Sequence, residues 1–138
     1  MADTVEFELV TPAKLLLTQA VEMVVVPGGE GDFGVLPGHA PMIATVRPGV
    51  VDIHNGGKVT ERIFIAGGFA EVSEERCTVL ADEAVPLDEL DAATAQADLE
   101  AARAAADKAG DDEGAKKLAE TQIATAEAKV AAIEARGR

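Results

Sequence analysis

The chain has 138 residues, with 12 Lys and Arg against 25 Asp and Glu, and a formal net charge of −13 at neutral pH. This length suits one ordinary domain or a small core with an appendage. Scattered cations in so acidic a chain argue against nucleic-acid binding and against direct attachment to anionic lipids, and no apolar run approaches the roughly 20 residues of a membrane span.

The first half of the chain, residues 5–84, has the pattern of an all-β unit. Short segments rich in Val and Ile alternate with turn residues at intervals typical of a sandwich or barrel. Val5, Phe7 and Leu9 alternate with Glu6, Glu8 and Val10, and this alternation predicts the first strand. Glu22 to Val26 predicts another strand, and we expect Pro27-Gly28-Gly29 to end it, because proline cannot donate to a strand ladder.

Two glycine pairs mark turns in this half. Asn55-Gly56-Gly57 predicts a tight hairpin between strands at Val50 to His54 and Lys58 to Ile65, since Asn and Gly tolerate the positive φ of such turns. Gly67-Gly68 predicts a bulge or a close approach of two backbones. Strands at Phe69 to Val72 and Cys77 to Leu80 follow in the pattern and complete the half.

After Pro86 the composition changes to Ala, Glu, Asp and Lys at helical frequency. Asp88 is a candidate N-cap of a first helix whose pattern runs through Leu90, Ala97 and Ala101 to Ala109, with Gly110 as its stop. Asp111 and Asp112 restart a second helix from about Gly114 to Arg136. Its apolar stripe comprises Ile123, Ala126, Val130 and Ile133.

The predicted fold class is α+β in two segregated halves. An N-terminal antiparallel β-sandwich is expected over residues 1–86, followed by a C-terminal antiparallel two-helix hairpin over residues 87–138. Alanine faces let helices approach closely but bury little apolar area, at about 25 cal/mol per Å². We therefore expect the hairpin to be marginally stable, as elements that move often are.

Residues that could carry chemistry are few. His39 and His54 are the only histidines and have no second ligand at a metal-binding spacing, so no metal or cofactor is predicted. The glycine-rich run from Pro27 to Gly38 lacks the Lys-Ser/Thr ending of a phosphate loop and predicts a structured turn. Ser73 has no pattern of an activated nucleophile. Cys77 is either a small core residue or a redox switch, and the first is favoured.

The run Gly31-Asp32-Phe33-Gly34-Val35-Leu36-Pro37-Gly38-His39-Ala40-Pro41-Met42-Ile43 resembles the most characteristic segment of the epsilon subunits of F-type ATP synthases. The resemblance extends through most of the first half. Its other parts are Phe7 to Pro12, Arg47-Pro48-Gly49, Gly67 to Val72 and Val79 to Ala84. It implies an N-terminal β-sandwich followed by two helices.

The resemblance also implies a non-catalytic central-stalk subunit of a proton-translocating bacterial ATP synthase. It would bind the gamma subunit and the c-ring, touch the alpha/beta head transiently, and lie at the cytoplasmic face of the plasma membrane without inserting into it. A start without basic or signal-type residues agrees with that location. The implied c-ring contacts are Glu30, Asp32 and His39. The implied loop-shaping residues are Gly31, Gly34, Pro37, Gly38 and Pro41.

Some members of this family bind ATP through an apolar-Asp-x-x-Arg-Ala motif and use the hairpin to inhibit hydrolysis. The matching run here is Leu87-Asp88-Glu89-Leu90-Asp91-Ala92, in which Asp91 stands in place of the arginine. An anion at this position repels phosphate, so weak or no ATP binding is expected. The first helix has only Arg103 and Lys108 as cations, which predicts a poor inhibitory grip on acidic surfaces.

Two other functions remain open from the sequence. A free-standing adaptor could use the Ala-rich hairpin to pair with another helical protein. A small enzyme could use Asp32 and His39 as an acid and base pair, but this would require a concave pocket beside them.

Overall fold

The computed structural model describes residues 3–136. The chain divides into two compact units, one ending at Pro86 and the other beginning at Leu87. The first is built of strands. The second contains a short 3-10 turn at Leu87–Glu89 followed by two helices.

The first unit has ten strands in one continuous sheet. They are β1 Val5–Val10, β2 Leu15–Val21, β3 Met23–Gly28, β4 Gly31–Val35, β5 Met42–Val46, β6 Gly49–Asn55, β7 Lys58–Ile65, β8 Gly68–Val72, β9 Arg76–Ala81 and β10 Ala84–Pro86. The order across the sheet is β10-β7-β6-β3-β5-β8-β9-β1-β2, and β4 pairs with β3 beside this path. The sheet is antiparallel as predicted, apart from one parallel pair, β1 with β9.

One hydrophobic core holds this sheet together. In β1 the predicted alternation is confirmed, since Val5, Phe7 and Leu9 are buried while the residues between them are half-buried. The same core takes in side chains from β3, β6 and β9, so the sheet folds over one shared interior. This is the predicted β-sandwich, built from Val, Ile and Leu with few aromatic residues.

Both glycine pairs act as predicted. Asn55 pairs with Lys58 across a turn made by Gly56 and Gly57, which closes the hairpin between β6 and β7. Gly68 has φ of +138°, and a Cβ placed on it would lie 1.9 Å from the carbonyl oxygen of Leu80 on β9. The backbones of β8 and β9 therefore approach too closely there for any other residue.

The third strand ends within Pro27-Gly28-Gly29, as predicted, but Pro27 does not stop it. β3 runs on to Gly28, with Pro27 opposite Asp32 of β4. Pro27 has no N–H to donate, but its carbonyl oxygen accepts a 2.9 Å hydrogen bond from the backbone N–H of Arg47 and so keeps the segment joined to the sheet. The run from Pro27 to Gly38, expected to be a turn, accordingly contains the strand β4.

The second unit contains α1, Ala92–Ala109, and α2, Glu113–Arg136. The two helices are antiparallel, since Arg136 at the end of α2 donates to the carbonyl oxygens of Leu87 and Leu90 ahead of α1. Asp88 is not the N-cap; it lies in the 3-10 turn, and α1 begins after Asp91. Asp91 is the N-cap because Thr94, three residues later, donates hydrogen bonds from both its backbone N–H and its hydroxyl to the Asp91 carboxylate.

Alanine dominates the buried positions of this unit. The buried residues of the helices are Ala95, Leu99, Ala102, Ala119, Ala126 and Ala132. The predicted apolar face of α1 was wrong at two residues, since Ala97 and Ala101 are exposed. In an alanine-rich helix every face looks equally apolar, so composition did not identify the buried one. Ile123, Val130 and Ile133 of α2 are half-buried.

Candidate functional site

The hairpin between β3 and β4 carries two of the three predicted contact residues, Glu30 and Asp32. Gly29 and Glu30 form its turn, and we call these two residues the hairpin tip. Gly31 follows with φ of +136°, a conformation that side chains other than glycine rarely adopt. Within residues 3–136, β4 pairs only with β3, so β4 has no strand on its other edge to support it, whereas β3 also pairs with β5 and β6.

Arg47 supplies that support from the end of β5. Its guanidinium donates one hydrogen bond of 2.6 Å to the carbonyl oxygen of Gly28 and another of 2.5 Å to the Oδ1 atom of Asp32. The backbone N–H of Gly29 also donates to the carbonyl oxygen of Thr45 at 2.9 Å. These contacts join β3, β4 and β5 at the base of the tip.

The two acidic side chains at the tip differ in their contacts. Asp32, predicted as a c-ring contact, forms an ion pair with Arg47. Glu30 is exposed, and within residues 3–136 no ion pair or hydrogen bond involves its side chain. The uncompensated negative charge at the tip is that of Glu30.

His39 lies at the other end of β4. The loop that holds it follows Val35, whereas Asp32 is near the start of the strand, so about four residue steps of roughly 3.3 Å separate Asp32 from the loop. The ring Nδ1 of His39 lies 2.7 Å from the carbonyl oxygen of Ala40. The three predicted contact residues thus form two groups, Glu30 with Asp32 and His39 by itself.

The residues expected to shape the loop are placed differently from one another. Gly38 has φ of +83°, and its N–H donates at 2.8 Å to the carbonyl oxygen of Glu74, which ties the loop to the turn between β8 and β9. Gly34 lies within β4, and a Cβ there would make an ordinary 3.5 Å contact with the sulfur of Met23. Pro37 is half-buried and Pro41 is exposed just before β5.

The outer surface of the sheet carries an apolar stripe that sequence reasoning missed. Phe69 of β8 pairs with Leu80 of β9, Leu80 with Val10 of β1, and Val10 with Leu15 of β2. Phe69 is 54% exposed, Leu80 48% and Leu15 55%. We call these four residues the apolar stripe; Ile43, 78% exposed, lies beside it on β5. The sequence does contain a signal for this stripe. Side chains alternate between the two faces of a strand, so an apolar residue between two buried ones, such as Leu80 between Val79 and Ala81, lies on the outer face.

An acid and base pair of Asp32 and His39 has no support in this geometry. The carboxylate of Asp32 contacts Arg47, and the ring nitrogen of His39 contacts a backbone oxygen. In the part of the chain that the structure describes, no three His, Cys, Asp or Glu side chains are grouped to hold a metal ion. Cys77 is buried in the core, and this burial raises the pKa of its thiol to about 12, so it stays protonated and unreactive at neutral pH.

Asp91 has a structural role where the related motif would have a phosphate-binding arginine. Its carboxylate accepts from the hydroxyl of Thr94 at 2.7 Å and from the backbone N–H of Thr94 at 2.9 Å. These two hydrogen bonds, with the nearby Arg136 adding to them, lower the pKa of Asp91. The group therefore remains an anion at the N-terminus of α1, where a phosphate would otherwise be favoured.

Neither α1 nor α2 is apolar enough over a sufficient length to cross a membrane, and no other helix of residues 3–136 could do so.

Comparisons with known proteins give the family. Residues 4–87 match the family model of the β-sandwich domain of the ATP synthase delta/epsilon chain. The match covers the whole strand-built unit that the structure describes from residue 4 onwards.

Curated relatives extend the similarity to both units. The chain is 59% identical over 133 residues to the ATP synthase epsilon chain of Paramagnetospirillum magneticum, with 96% of this chain and 99% of the relative covered. It is 53% identical over 135 residues to the epsilon chain of Rhodospirillum centenum, with 94% and 92% covered.

Among solved structures, a chain of the Euglena gracilis mitochondrial ATP synthase, determined as an OSCP/F1/c-ring assembly, superposes with a TM-score of 0.79 at 28% identity. That match covers 100% of this chain and 84% of the other. A chain of the central stalk and c-ring of the Tetrahymena thermophila enzyme superposes with a TM-score of 0.64 at 16% identity, over 94% and 96% of the two chains, and supports the fold. On this evidence the chain belongs to the family of ATP synthase epsilon chains.

Proposed function

We propose that this protein is an accessory, non-catalytic subunit of the central stalk of a proton-translocating ATP synthase, joining the gamma subunit to the c-ring. The observation that carries the proposal is the pairing, on one rigid β unit, of an exposed apolar stripe with a projecting charged hairpin tip. Two different surfaces suit a subunit with two partners. The relatives that are ATP synthase epsilon chains, and the assemblies in which similar chains are found, support the same role.

The apolar stripe is the surface we assign to gamma. Its four residues lie on four neighbouring strands, and three strand spacings of about 4.8 Å make a row of roughly 14 Å. A helix rising 1.5 Å per residue covers that length in about ten residues. Exposed aromatic and aliphatic side chains in such a row, including Phe69 with Leu80, are typical of the centre of a protein interface.

The hairpin tip is the surface we assign to the polar loops of the c-ring. Glu30 presents an unpaired carboxylate on a turn held by backbone hydrogen bonds, and this can pair with a cation on a rotor loop. Rim charges of this kind set orientation and association rate more than affinity. His39, at the far end of β4, is assigned to a second contact and not to the same one.

This role places the protein at the cytoplasmic face of the plasma membrane, attached through its partners. The alanine-rich hairpin would reach the alpha/beta head only transiently, and whether it inhibits hydrolysis is a separate question. ATP itself is not an expected ligand, because the anionic Asp91 already caps α1. Calorimetry on the isolated chain should give no heat of micromolar ATP binding, and a micromolar dissociation constant would contradict this part of the proposal.

The stripe is tested by replacing one exposed apolar residue within it and one outside it. Phe69→Glu should weaken binding to the gamma–c-ring complex at least tenfold, because it places a charge at the centre of an apolar contact. The matched control is Leu118→Glu on α2, since Leu118 is 60% exposed and lies outside the stripe. Surface plasmon resonance against immobilised gamma–c-ring complex measures both variants.

Three outcomes separate the possibilities. Loss of binding with Phe69→Glu alone supports the proposal. Equal loss with both variants, or with Leu118→Glu alone, moves the gamma contact to another surface. Failure of the unaltered chain to bind the complex refutes the stalk function itself and favours a free-standing adaptor.

A further inference from the structure

The contact between Asp32 and Arg47 determines whether Asp32 is available to bind a rotor loop. The resemblance names Asp32 as a contact, but its carboxylate is the acceptor of a 2.5 Å hydrogen bond from Arg47 within the same chain. An ion pair of an aspartate with an arginine has no net charge and attracts a second cation only weakly. A rotor loop could recruit it only by displacing Arg47.

We propose that Asp32 and Arg47 form a brace that positions the hairpin tip, and that Glu30 alone carries the tip's charge to its cationic partner. This inference rests on the proposed function, because the partner is the rotor loop assigned above. Arg47 is thus a positioning residue. Arg47 affects the binding of the partner by fixing the position of the tip, not by contacting the partner.

The geometry requires an arginine and not simply a cation. Two nitrogens of the guanidinium reach two acceptors at once, the backbone oxygen of Gly28 on β3 and the carboxylate of Asp32 on β4. A planar fork can bridge two acceptors with fixed spacing, whereas a lysine ammonium on a flexible stem lacks that pre-organisation. Gly28 and Asp32 come from the two strands on either side of the tip, so the bridge fixes the angle at which Glu30 projects.

The location explains why a brace is needed. β4 pairs only with β3, and the backbone N–H of Gly29 provides one further hydrogen bond to Thr45. β3 is already held in the sheet by β5 and β6, so β4 is the less supported strand of the hairpin. Arg47 directly follows β5, and its contact with Asp32 joins β4 to the end of that strand.

The first experiment compares the directions in which two single variants move. Asp32→Asn removes a negative charge and Arg47→Gln removes a positive one, so they should have opposite effects if each acts as a separate charge. If the two form a brace, both weaken binding to the gamma–c-ring complex by about three- to fivefold, as expected for an exposed ion pair. The double variant should then be no weaker than either single variant.

Glu30 and matched controls complete this experiment. Glu30→Gln should lower the association rate and flatten its dependence on salt, whereas the double variant of Asp32→Asn and Arg47→Gln keeps the net charge of the tip and should leave the salt dependence nearly unchanged. Arg47→Lys should recover less than half of the affinity that is lost in Arg47→Gln. Asp52→Asn and Arg62→Gln break a comparable exposed pair between β6 and β7, at 3.4 Å, and should leave binding unaltered.

A second experiment on the full chain alone separates this inference from the proposed function. Amide exchange at Gly29, whose N–H bonds to Thr45, should speed up equally in Asp32→Asn, Arg47→Gln and the double variant. That result with no binding to the c-ring would leave the brace standing and refute the stalk function. Unchanged exchange in both single variants, or a loss of c-ring affinity with Asp32→Asn but a gain with Arg47→Gln, would overturn the brace.

Discussion

The strand-built unit and the helical unit of this protein reach stability by different means. In the first, large apolar side chains such as Phe7 and Ile53 are fully buried in one core, and glycines allow backbones to meet at close range. In the second, most buried positions hold alanine, and caps and polar contacts at the helix ends have a larger share. Both surfaces proposed to bind partners lie on the unit with the larger buried side chains, and we expect the helical unit to be the less stable of the two.

The largest expected effect comes from the closest backbone contact. Gly68→Ala should destabilise the strand-built unit by about 3 kcal/mol or more, because its Cβ would lie 1.9 Å from the Leu80 oxygen at a φ of +138°. Gly110→Ala is the matched control in the helical unit. Its φ is also positive, but no atom lies within 4 Å of the added carbon, so about 1 kcal/mol is expected. Chemical denaturation measures both; equal losses would contradict the comparison.

Next in size is the same change made in each core. Leu9→Ala removes a side chain that is 1% exposed in the strand-built unit and should cost about 3–5 kcal/mol. Leu99→Ala, 7% exposed on α1, should cost about 2 kcal/mol, because a thin alanine-rich core collapses more easily around the space left. Urea titrations followed by circular dichroism report these losses. A larger cost for Leu99→Ala would show that the helical unit is not the weaker one.

A smaller effect is expected at the open end of the hairpin. Arg136→Ala removes two hydrogen bonds, 2.8 Å and 2.7 Å long, to the carbonyl oxygens of Leu87 and Leu90. These bonds are partly exposed, so about 1 kcal/mol is expected, seen as faster amide exchange in α1. Arg103→Ala is the control, since its 3.8 Å pair with Glu127 is well exposed and should contribute only a few tenths of a kcal/mol.

The smallest effect is a pH dependence at the N-cap. Since the folded state lowers the pKa of Asp91, its contribution is present above the ordinary aspartate value of about 3.9 and is lost as the pH falls through the lower folded value. Asp91→Ala should therefore lower the melting temperature of the helices more at pH 7 than at pH 2. Asp91→Asn keeps a capping oxygen but lacks the charge, so at pH 7 it should lower the melting temperature by less than Asp91→Ala does. A loss of equal size at both pH values would show that the charge and hydrogen bonds of Asp91 are not the cause.

The sequence predicted the two halves, their order and most turns, because strand alternation and the sharp composition change after Pro86 are local signals. It missed the extension of β3 through Pro27, since the compensating hydrogen bond comes from Arg47, twenty residues later. The ion pair of Asp32 was missed for a similar reason, since Arg47 lies 15 residues away in the sequence. The apolar stripe could not be found locally either, because Phe69, Leu80, Val10 and Leu15 become neighbours only through the pairing of four strands.

We propose that the strand-built unit carries the coupling role. The test is to measure ATP-driven proton pumping by the reconstituted synthase with the full chain and with a version that ends at Pro86. A thermal melt of the shorter version shows whether it folds. We expect both to remain bound and to support equal pumping per ATP hydrolysed. A folded, bound shorter version that hydrolyses ATP without pumping would contradict the account and assign coupling to the helical unit.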